Sequence, residues 1–267
     1  MDVISSEITT EGISMNYIKF GNGSKVLVIL PGLSIRSVIP AAKAIAKQYS
    51  FLTDEFTVYL FERRNNIPKE YSIESMAHDT IKIITVLGLD DIYLFGTSQG
   101  GMIALTIASL YPELIKKLVI VSSALRVDES RFSVIERWVK LAEKEECKSL
   151  CLLMGETVYS ASFFERNREL FLRMAAEISS NDLERFIILA NTIQHFDIRE
   201  QARNIHCPVL YVGDNTDAVF TDHPEKEIED YFQFNERFEI TMFSGCGHAL
   251  YDTSDLFADV LKTFLMK

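Results

Sequence analysis

The sequence has few cysteines and no long apolar run. Four cysteines in 267 residues are too few and too scattered for a disulfide framework. No stretch approaches the roughly 20 apolar residues of a membrane helix. Asp2 and Glu7 stand where a signal peptide carries basic residues, and no apolar segment follows them. We therefore expect a cytoplasmic protein with reduced thiols and no membrane contact.

Basic residues are also scarce: 27 Lys and Arg face 38 Asp and Glu, giving a formal net charge of −11. Nucleic-acid binding needs a basic face, so no nucleic-acid partner is expected. The surplus of acidic over basic residues is distributed unevenly along the chain. Residues 1–126 hold 12 acidic and 12 basic side chains, 127–200 hold 14 and 10, and 214–239 hold 9 and 2. We expect the last surplus to form a solvated helix face (Glu225, Glu227, Glu229, Asp230) and to favour neutral or cationic substrates.

The order of apolar patterns predicts an α/β fold with a mostly parallel sheet flanked by helices. Two alternating segments, 2–10 and 13–20, predict an antiparallel start. Buried strands are then predicted at 25–30, 56–61, 92–95, 118–122, 208–213 and 238–243. Helices are predicted at 40–49, 72–87, 100–110, near 224–232 and at 254–265. Between 127 and 200 only amphipathic helical spacing appears. We therefore predict a core of residues 1–126 and 201–267 with a helical lid inserted at 127–200.

The strongest local motif is Gly96-Thr97-Ser98-Gln99-Gly100, which follows a predicted strand and precedes a predicted helix. This G-x-S-x-G pattern in this context is typical of a nucleophile elbow, a sharp turn that exposes a serine hydroxyl at the carboxyl end of the sheet. Glycines flank the serine because strand and helix approach closely there. Ser98 is therefore the candidate nucleophile.

Two further groups complete a candidate triad. Among five histidines, only His248 lies on a glycine-rich loop between the last strand and the last helix, so it is the candidate general base. The carboxylate should follow the strand that ends near residue 213, where Asp214 and Asp217 both qualify. We favour Asp217 and keep Asp214 as the alternative, because Asp214 can instead bond its own loop amides.

Backbone amides are needed to stabilise an oxyanion. One candidate is Gln99, the residue after the serine. The other lies on the turn after the first buried strand, where Gly32 permits a tight turn that directs the amide of Leu33 inward.

With these residues in place, the chain resembles the α/β-hydrolase superfamily, in its lidded, single-domain form. The resemblance spans residues 26–264 and implies ester hydrolysis through an acyl-serine, with no cofactor and no metal. One stretch departs from the family pattern: Glu62-Arg63-Arg64-Asn65-Asn66 stands where the family often has an Asp-x-Arg-Gly-x-Gly run. We expect Glu62 and Arg64 to keep a structural ion pair there.

The expected activity is hydrolysis of a small or medium, largely apolar ester or related acyl compound. No sequence feature indicates an oligomeric state, so a monomer is only the default. The lid would cover the site, and its candidate pocket residues are Trp138, Phe163, Phe164 and His195, although each is individually more typical of lid packing. A carbon–carbon bond hydrolase or an acyltransferase would use the same triad. A non-catalytic ligand-binding protein of this fold would lack a triad member.

Overall fold

A computed structural model describes residues 2–222 and 224–267. Its centre is an eight-stranded sheet in the order β1-β2-β4-β3-β5-β6-β7-β8. The strands are β1 (Val3–Thr10), β2 (Ile13–Phe20), β3 (Lys25–Leu30), β4 (Phe56–Arg64), β5 (Ile92–Thr97), β6 (Ile115–Val121), β7 (Val209–Asp214) and β8 (Phe238–Phe243). From β4 to β8 in this order, neighbouring strands are parallel.

An antiparallel hairpin begins the sheet, as predicted. Strands β1 and β2 pair from Val3 with Phe20 to Thr10 with Ile13. The two residues between them, Glu11 and Gly12, both have positive φ, at 47° and 78°. Positive φ at both central positions is the type I′ geometry that matches the twist of paired strands.

Helices cover both faces of the sheet, because the central strands are apolar on both sides. In β3, Leu27 and Ile29 contact one hydrophobic cluster, whereas Val28 and Leu30 contact the other. The first cluster includes residues of α1 (Ala42–Gln48) and α11 (Asp255–Met266). The second includes residues of α2 (Ile73–Val86), α3 (Gln99–Leu110) and α9 (Pro224–Phe232). The predicted α/β class is confirmed.

Five helices lie between β6 and β7, in the segment for which only helical spacing is found in the sequence. They are α4 (Glu129–Glu143), α5 (Cys147–Val158), α6 (Ala161–Ala175), α7 (Ser180–Asn191) and α8 (Arg199–Ala202). We call these the inserted helices. Phe186 of α7 and Trp138 of α4 belong to the hydrophobic cluster that contains α3, so the inserted helices share a core with the sheet.

Strand β4 is longer than its apolar pattern predicts. The predicted strand stops at residue 61, yet β4 runs to Arg64, and Glu62 and Arg63 within it are each only 6% exposed. The sequence pattern fails here because buried charged side chains are rare unless they have partners. A short helix α10 (Leu250–Thr253), which the sequence pattern does not indicate, precedes α11.

Candidate active site

All the predicted catalytic residues follow the carboxyl ends of parallel strands. Ser98 follows β5, Asp217 lies in the loop after β7, and His248 lies in the loop after β8. Leu33 follows β3, the neighbour of β5. The carboxyl edge of an open α/β sheet is where ligands bind in such folds, so the topology alone converges these loops on one place.

Ser98 occupies a strained turn between β5 and α3. Its φ of 51° and ψ of −120° are unusual for a residue with a side chain. Such a conformation costs on the order of 1–3 kcal/mol and is found mainly at functional sites. Backbone bonds hold the turn: the Ser98 amide donates to Val121 O at 2.8 Å, and the Gly101 amide donates to Ser98 O at 2.9 Å.

The glycines around Ser98 are required by close backbone approach. A Cβ on Gly96 would lie 2.3 Å from the carbonyl oxygen of Gly100, and one on Gly100 would lie 2.0 Å from that of Leu30. A Cβ on Gly101 would lie 2.6 Å from the Cβ of Ser123. Side chains at these positions would therefore push α3 away from the sheet.

Ser98, His248 and Asp217 form a continuous hydrogen-bonded chain. Nε2 of His248 lies 2.9 Å from Oγ of Ser98, and Nδ1 lies 2.7 Å from Oδ2 of Asp217. The side chains of His248 and Asp217 are only 4% and 8% exposed. Because a carboxylate accepts, Nδ1 carries the proton, which leaves Nε2 of the neutral ring free to accept from the serine hydroxyl.

Backbone amides hold the Asp217 carboxylate in position. Its Oδ1 accepts from the amides of Val219 at 2.7 Å and Phe220 at 3.2 Å, which leaves Oδ2 for His248. The Phe220 ring packs edge-on against the imidazole, 5.5 Å between centroids. The imidazole is thus held by a fixed carboxylate and an aromatic ring.

Asp214, the alternative acid, has different partners. Its Oδ1 accepts from the Thr216 amide at 2.7 Å and from the Thr216 hydroxyl, and its Oδ2 accepts from the Cys246 amide at 2.9 Å. Burial acts to raise the pKa of Asp214, but these hydrogen bonds outweigh it and leave the pKa below its usual value. Asp214 thus ties its own loop to the loop that carries His248.

The two candidate oxyanion donors flank the serine. Gln99 is the first residue of α3, and the amides of a helix's first turn have no intrahelical acceptor. The turn that carries Leu33 lies close to the serine, since a Cβ added to Gly32 would lie 3.3 Å from Cβ of Ser98.

A narrow cleft opens beside the oxyanion turn. Arg63 of β4 and Arg185 of α7 both line it, so it lies between the sheet and the inserted helices. The other lining residues are Pro31, Gly32, Ser34, Glu62, Gln99 and Leu189. The sequence patterns predict no role for Arg63 or Arg185. The local indication for Arg63 is an arginine directly after an apolar run that is typical of a strand buried on both faces.

Buried hydrogen bonds connect this cleft to both oxyanion segments. One guanidinium nitrogen of Arg63 donates to Pro31 O at 2.7 Å and to Gln99 Oε1 at 2.9 Å. The Gln99 amide group donates in turn to Leu189 O at 2.6 Å and to the Thr192 hydroxyl at 3.1 Å. Burial and the nearby Arg185 lower the pKa of Arg63 to about 10, so it stays cationic at neutral pH.

The residues that line this cleft differ from the predicted pocket residues. Trp138 and Phe164 are buried in hydrophobic clusters, and Phe163 stacks on Tyr159 at 4.6 Å. His195 is exposed on a turn with φ of 64°. None of the four lines this cleft, and their role in a substrate pocket stays a prediction.

Two charge predictions are wrong. Glu62 and Arg64 do not pair: Glu62 accepts from the Ser37 hydroxyl and the Val38 amide, while Arg64 lies 3.5 Å from Asp79. Glu227 is not on a solvated face either. Its side chain is 17% exposed and contacts Arg131 and Arg199 of the inserted helices, and also Arg126, which precedes them. Long-range partners, which local sequence does not reveal, explain both differences.

Within residues 2–222 and 224–267, no helix is both long and apolar enough to cross a membrane. In the same residues, no group of three or more His, Cys, Asp or Glu side chains is arranged to hold a metal ion.

Comparison with known proteins agrees with this geometry. A family model described as alpha/beta hydrolase fold matches residues 25–255. The chain belongs to the α/β-hydrolase family. The predicted fold class and the prediction of an enzyme of this family are thereby confirmed.

Relatives of this α/β-hydrolase carry several names. A putative carbamate hydrolase RutD from Agrobacterium fabrum is 26% identical over 184 residues, covering 64% of this chain and 69% of the relative. A 3-oxoadipate enol-lactonase 2 from Acinetobacter baylyi is 18% identical and covers 80% of both chains. The crystal structure of MGS-M2, an α/β-hydrolase enzyme from a deep-sea metagenome library, superposes with a TM-score of 0.86 at 20% identity, covering 98% of both chains.

Proposed function

We propose that this α/β-hydrolase is a serine hydrolase that cleaves a carboxylic ester or a related acyl compound. The observation that carries the proposal is the hydrogen-bonded chain from Ser98 Oγ through His248 to Asp217. Relatives named as a carbamate hydrolase and an enol-lactonase support it, because both names describe cleavage at a carbonyl carbon.

In the first half of the proposed reaction, Ser98 Oγ attacks the carbonyl carbon while its proton passes to Nε2 of His248. The amides of Leu33 and Gln99 bind the resulting oxyanion, and Asp217 stabilises the imidazolium. When the tetrahedral intermediate collapses, the bond to the alcohol oxygen breaks and His248 protonates the leaving alcohol. The acyl group stays on Ser98.

In the second half, His248 removes a proton from water, which attacks the acyl carbon. The carboxylic acid leaves as Ser98 recovers its proton. Neither half needs a cofactor or a metal ion. The inserted helices act as a lid that limits access of water and substrate, with Gln99 Nε2 bound to Leu189 O as one contact between this lid and the elbow.

The test is covalent labelling by a fluorophosphonate, combined with hydrolysis of short methyl and p-nitrophenyl esters. Wild type should be labelled at Ser98, and Ser98→Ala should lose labelling and about 10⁶-fold in kcat. Ser133→Ala, on an exposed position of α4, is the matched control and should behave as wild type. Full activity in Ser98→Ala contradicts the proposal, and an unlabelled wild type indicates a binding protein instead.

A further inference from the structure

The cleft beside the oxyanion turn has an unusual charge environment. Arg63 is only 6% exposed, yet it forms no ion pair with any described carboxylate. Its two hydrogen bonds go to neutral acceptors, and its Nε is buried without a partner. Burial and Arg185 disfavour the charge on Arg63 more than the nearby Tyr71 and Glu62 favour it, so the site is a candidate for binding the opposite charge.

A second cation faces the same cleft. Arg185 of α7 lines it and is close enough to Arg63 to disfavour its protonation. Within the described residues, Arg185 has no side-chain hydrogen bond and no ion pair, although its charge also acts on the Asp182 carboxylate of the same helix. One guanidinium group from the sheet and one from the inserted helices therefore meet at this cleft, which Glu62 also lines.

The one acidic residue that lines the cleft is already occupied. Both oxygens of Glu62 accept hydrogen bonds at 2.7–2.8 Å, from the Val38 amide and the Ser37 hydroxyl, on the turn that leads to α1. Glu62 is thus directed toward the 37–38 backbone. The local excess of positive charge in the cleft contrasts with the net charge of −11 of the whole chain.

The position of the cleft links it to the reaction. Gly32 lines it and lies so near Ser98 that an added Cβ would be 3.3 Å from the Ser98 Cβ. Gln99 both lines it and carries a candidate oxyanion donor. A group bound between the arginines would therefore lie a few bonds from a carbonyl carbon at Ser98. The cleft is narrow, with a volume of about 10 Å³, so it has no room for an acyl chain.

We propose that Arg63 and Arg185 form an anion subsite that binds a carboxylate of the substrate, so that the enzyme prefers acyl substrates that carry a free carboxylate near the scissile bond. This inference rests on the proposed function and specifies its substrate class. Planar guanidinium groups suit it, because they bind carboxylates through paired, charge-assisted hydrogen bonds. It replaces the expectation of neutral or cationic substrates drawn from net charge.

The test compares matched substrates. Monomethyl glutarate carries a free carboxylate on its acyl group, which dimethyl glutarate lacks. Acetoxyacetate carries a free carboxylate on the alcohol side of its acetyl ester, which methyl acetoxyacetate lacks. In wild type, kcat/KM should be higher for the charged member of at least one pair. Arg185→Gln and Arg63→Met should each reduce that charged-to-neutral ratio by roughly ten- to hundredfold, as expected for a hydrogen bond to a charged group. Arg137→Gln removes an exposed charge from α4 and should keep the wild-type ratio.

A second measurement does not need turnover. Glutarate should slow fluorophosphonate labelling of Ser98 more than glutaramide does, and Arg185→Gln should remove the difference. Equal protection by both compounds, or a charged-to-neutral ratio at or below one in wild type, overturns the subsite. Ser98 labelling with no charge preference refutes the subsite alone, whereas absence of Ser98 labelling refutes the proposed function and this inference with it.

Discussion

Asp217 and His248 meet at 2.7 Å, across the loops that follow two neighbouring strands, β7 and β8. The other oxygen of the carboxylate is held by two backbone amides, so the acceptor for Nδ1 is fixed before any substrate arrives. A fixed acceptor selects one tautomer of the imidazole, the one whose Nε2 accepts from Ser98.

Replacing Asp217 with Asn should separate the two candidate acids. Asp217→Asn keeps the size of the side chain but removes the negative charge and permits the wrong tautomer, so kcat on a short ester should fall by about 10⁴-fold. Asp214→Asn should lower kcat far less, because Asp214 contacts backbone rather than the imidazole. A larger kcat loss for Asp214→Asn would exchange the two roles.

Asp214 should instead matter for stability, in a pH-dependent way. The pKa of Asp214 is lowered in the folded state. Its contribution to the free energy of unfolding is therefore fully present above the pKa of Asp in the unfolded chain, about 3.9, and is lost as the pH falls through the pKa of the folded state. Asp214→Asn should lower the free energy of unfolding by about 1.5–3 kcal/mol at pH 7.

Urea unfolding at pH 7 and below pH 4 measures this effect of Asp214. The difference between wild type and Asp214→Asn should shrink at the lower pH. Asp230→Asn, on an exposed position of α9, should change the free energy by less than about 0.5 kcal/mol at either pH. A constant difference across pH would mean that packing, and not the carboxylate charge, is what Asp214 supplies.

The elbow should reject any side chain at position 100. A Cβ there would meet the Leu30 carbonyl at 2.0 Å, and this contact is backbone against backbone, so relief requires movement of α3 or β3. We expect Gly100→Ala to cost more than about 3 kcal/mol, at or beyond the upper end for overpacking.

Gly88→Ala is the matched control for this substitution. Gly88 has φ of 63°, but nothing lies within 4 Å of its Cβ position. Gly88→Ala should therefore cost only the roughly 1–2 kcal/mol of placing a residue with a side chain in the left-handed region. Soluble yield and chemical unfolding distinguish the two variants. A Gly100→Ala protein as stable as Gly88→Ala would show that α3 and β3 can move apart at little cost.

The sequence predicts the strands and the turns that carry the triad better than it predicts the residues around the triad. Runs such as Lys25–Leu30 identify strands locally, and the glycines around Ser98 and His248 identify sharp turns, because both signals depend on neighbouring residues. The preference for Asp217 over Asp214 follows from position in the loop, and Asp217 is the one whose Oδ2 lies 2.7 Å from Nδ1 of His248.

The cleft could not be predicted in the same way. Arg63 occupies a strand position where an apolar residue is expected, and its acceptors, Pro31 O and Gln99 Oε1, lie 32 and 36 residues away. Arg185 reaches the cleft because α7 meets the start of α3, where Gln99 Nε2 donates to Leu189 O. Such contacts between distant segments leave no periodic signal in the chain.

The inserted helices should depend on Arg131 for their attachment to the core. Its guanidinium contacts Asp222 at 2.8 Å and Glu227 at 2.5 Å, and its side chain is 4% exposed. Arg131→Met removes the buried cation from two partly exposed carboxylates and should cost about 1.5–3 kcal/mol, or roughly 3–12 °C in Tm. Arg203→Met, which removes an exposed pair with Glu200, should cost less than about 1 kcal/mol. Calorimetry of both variants measures this, and equal Tm values would show that apolar packing alone holds the inserted helices.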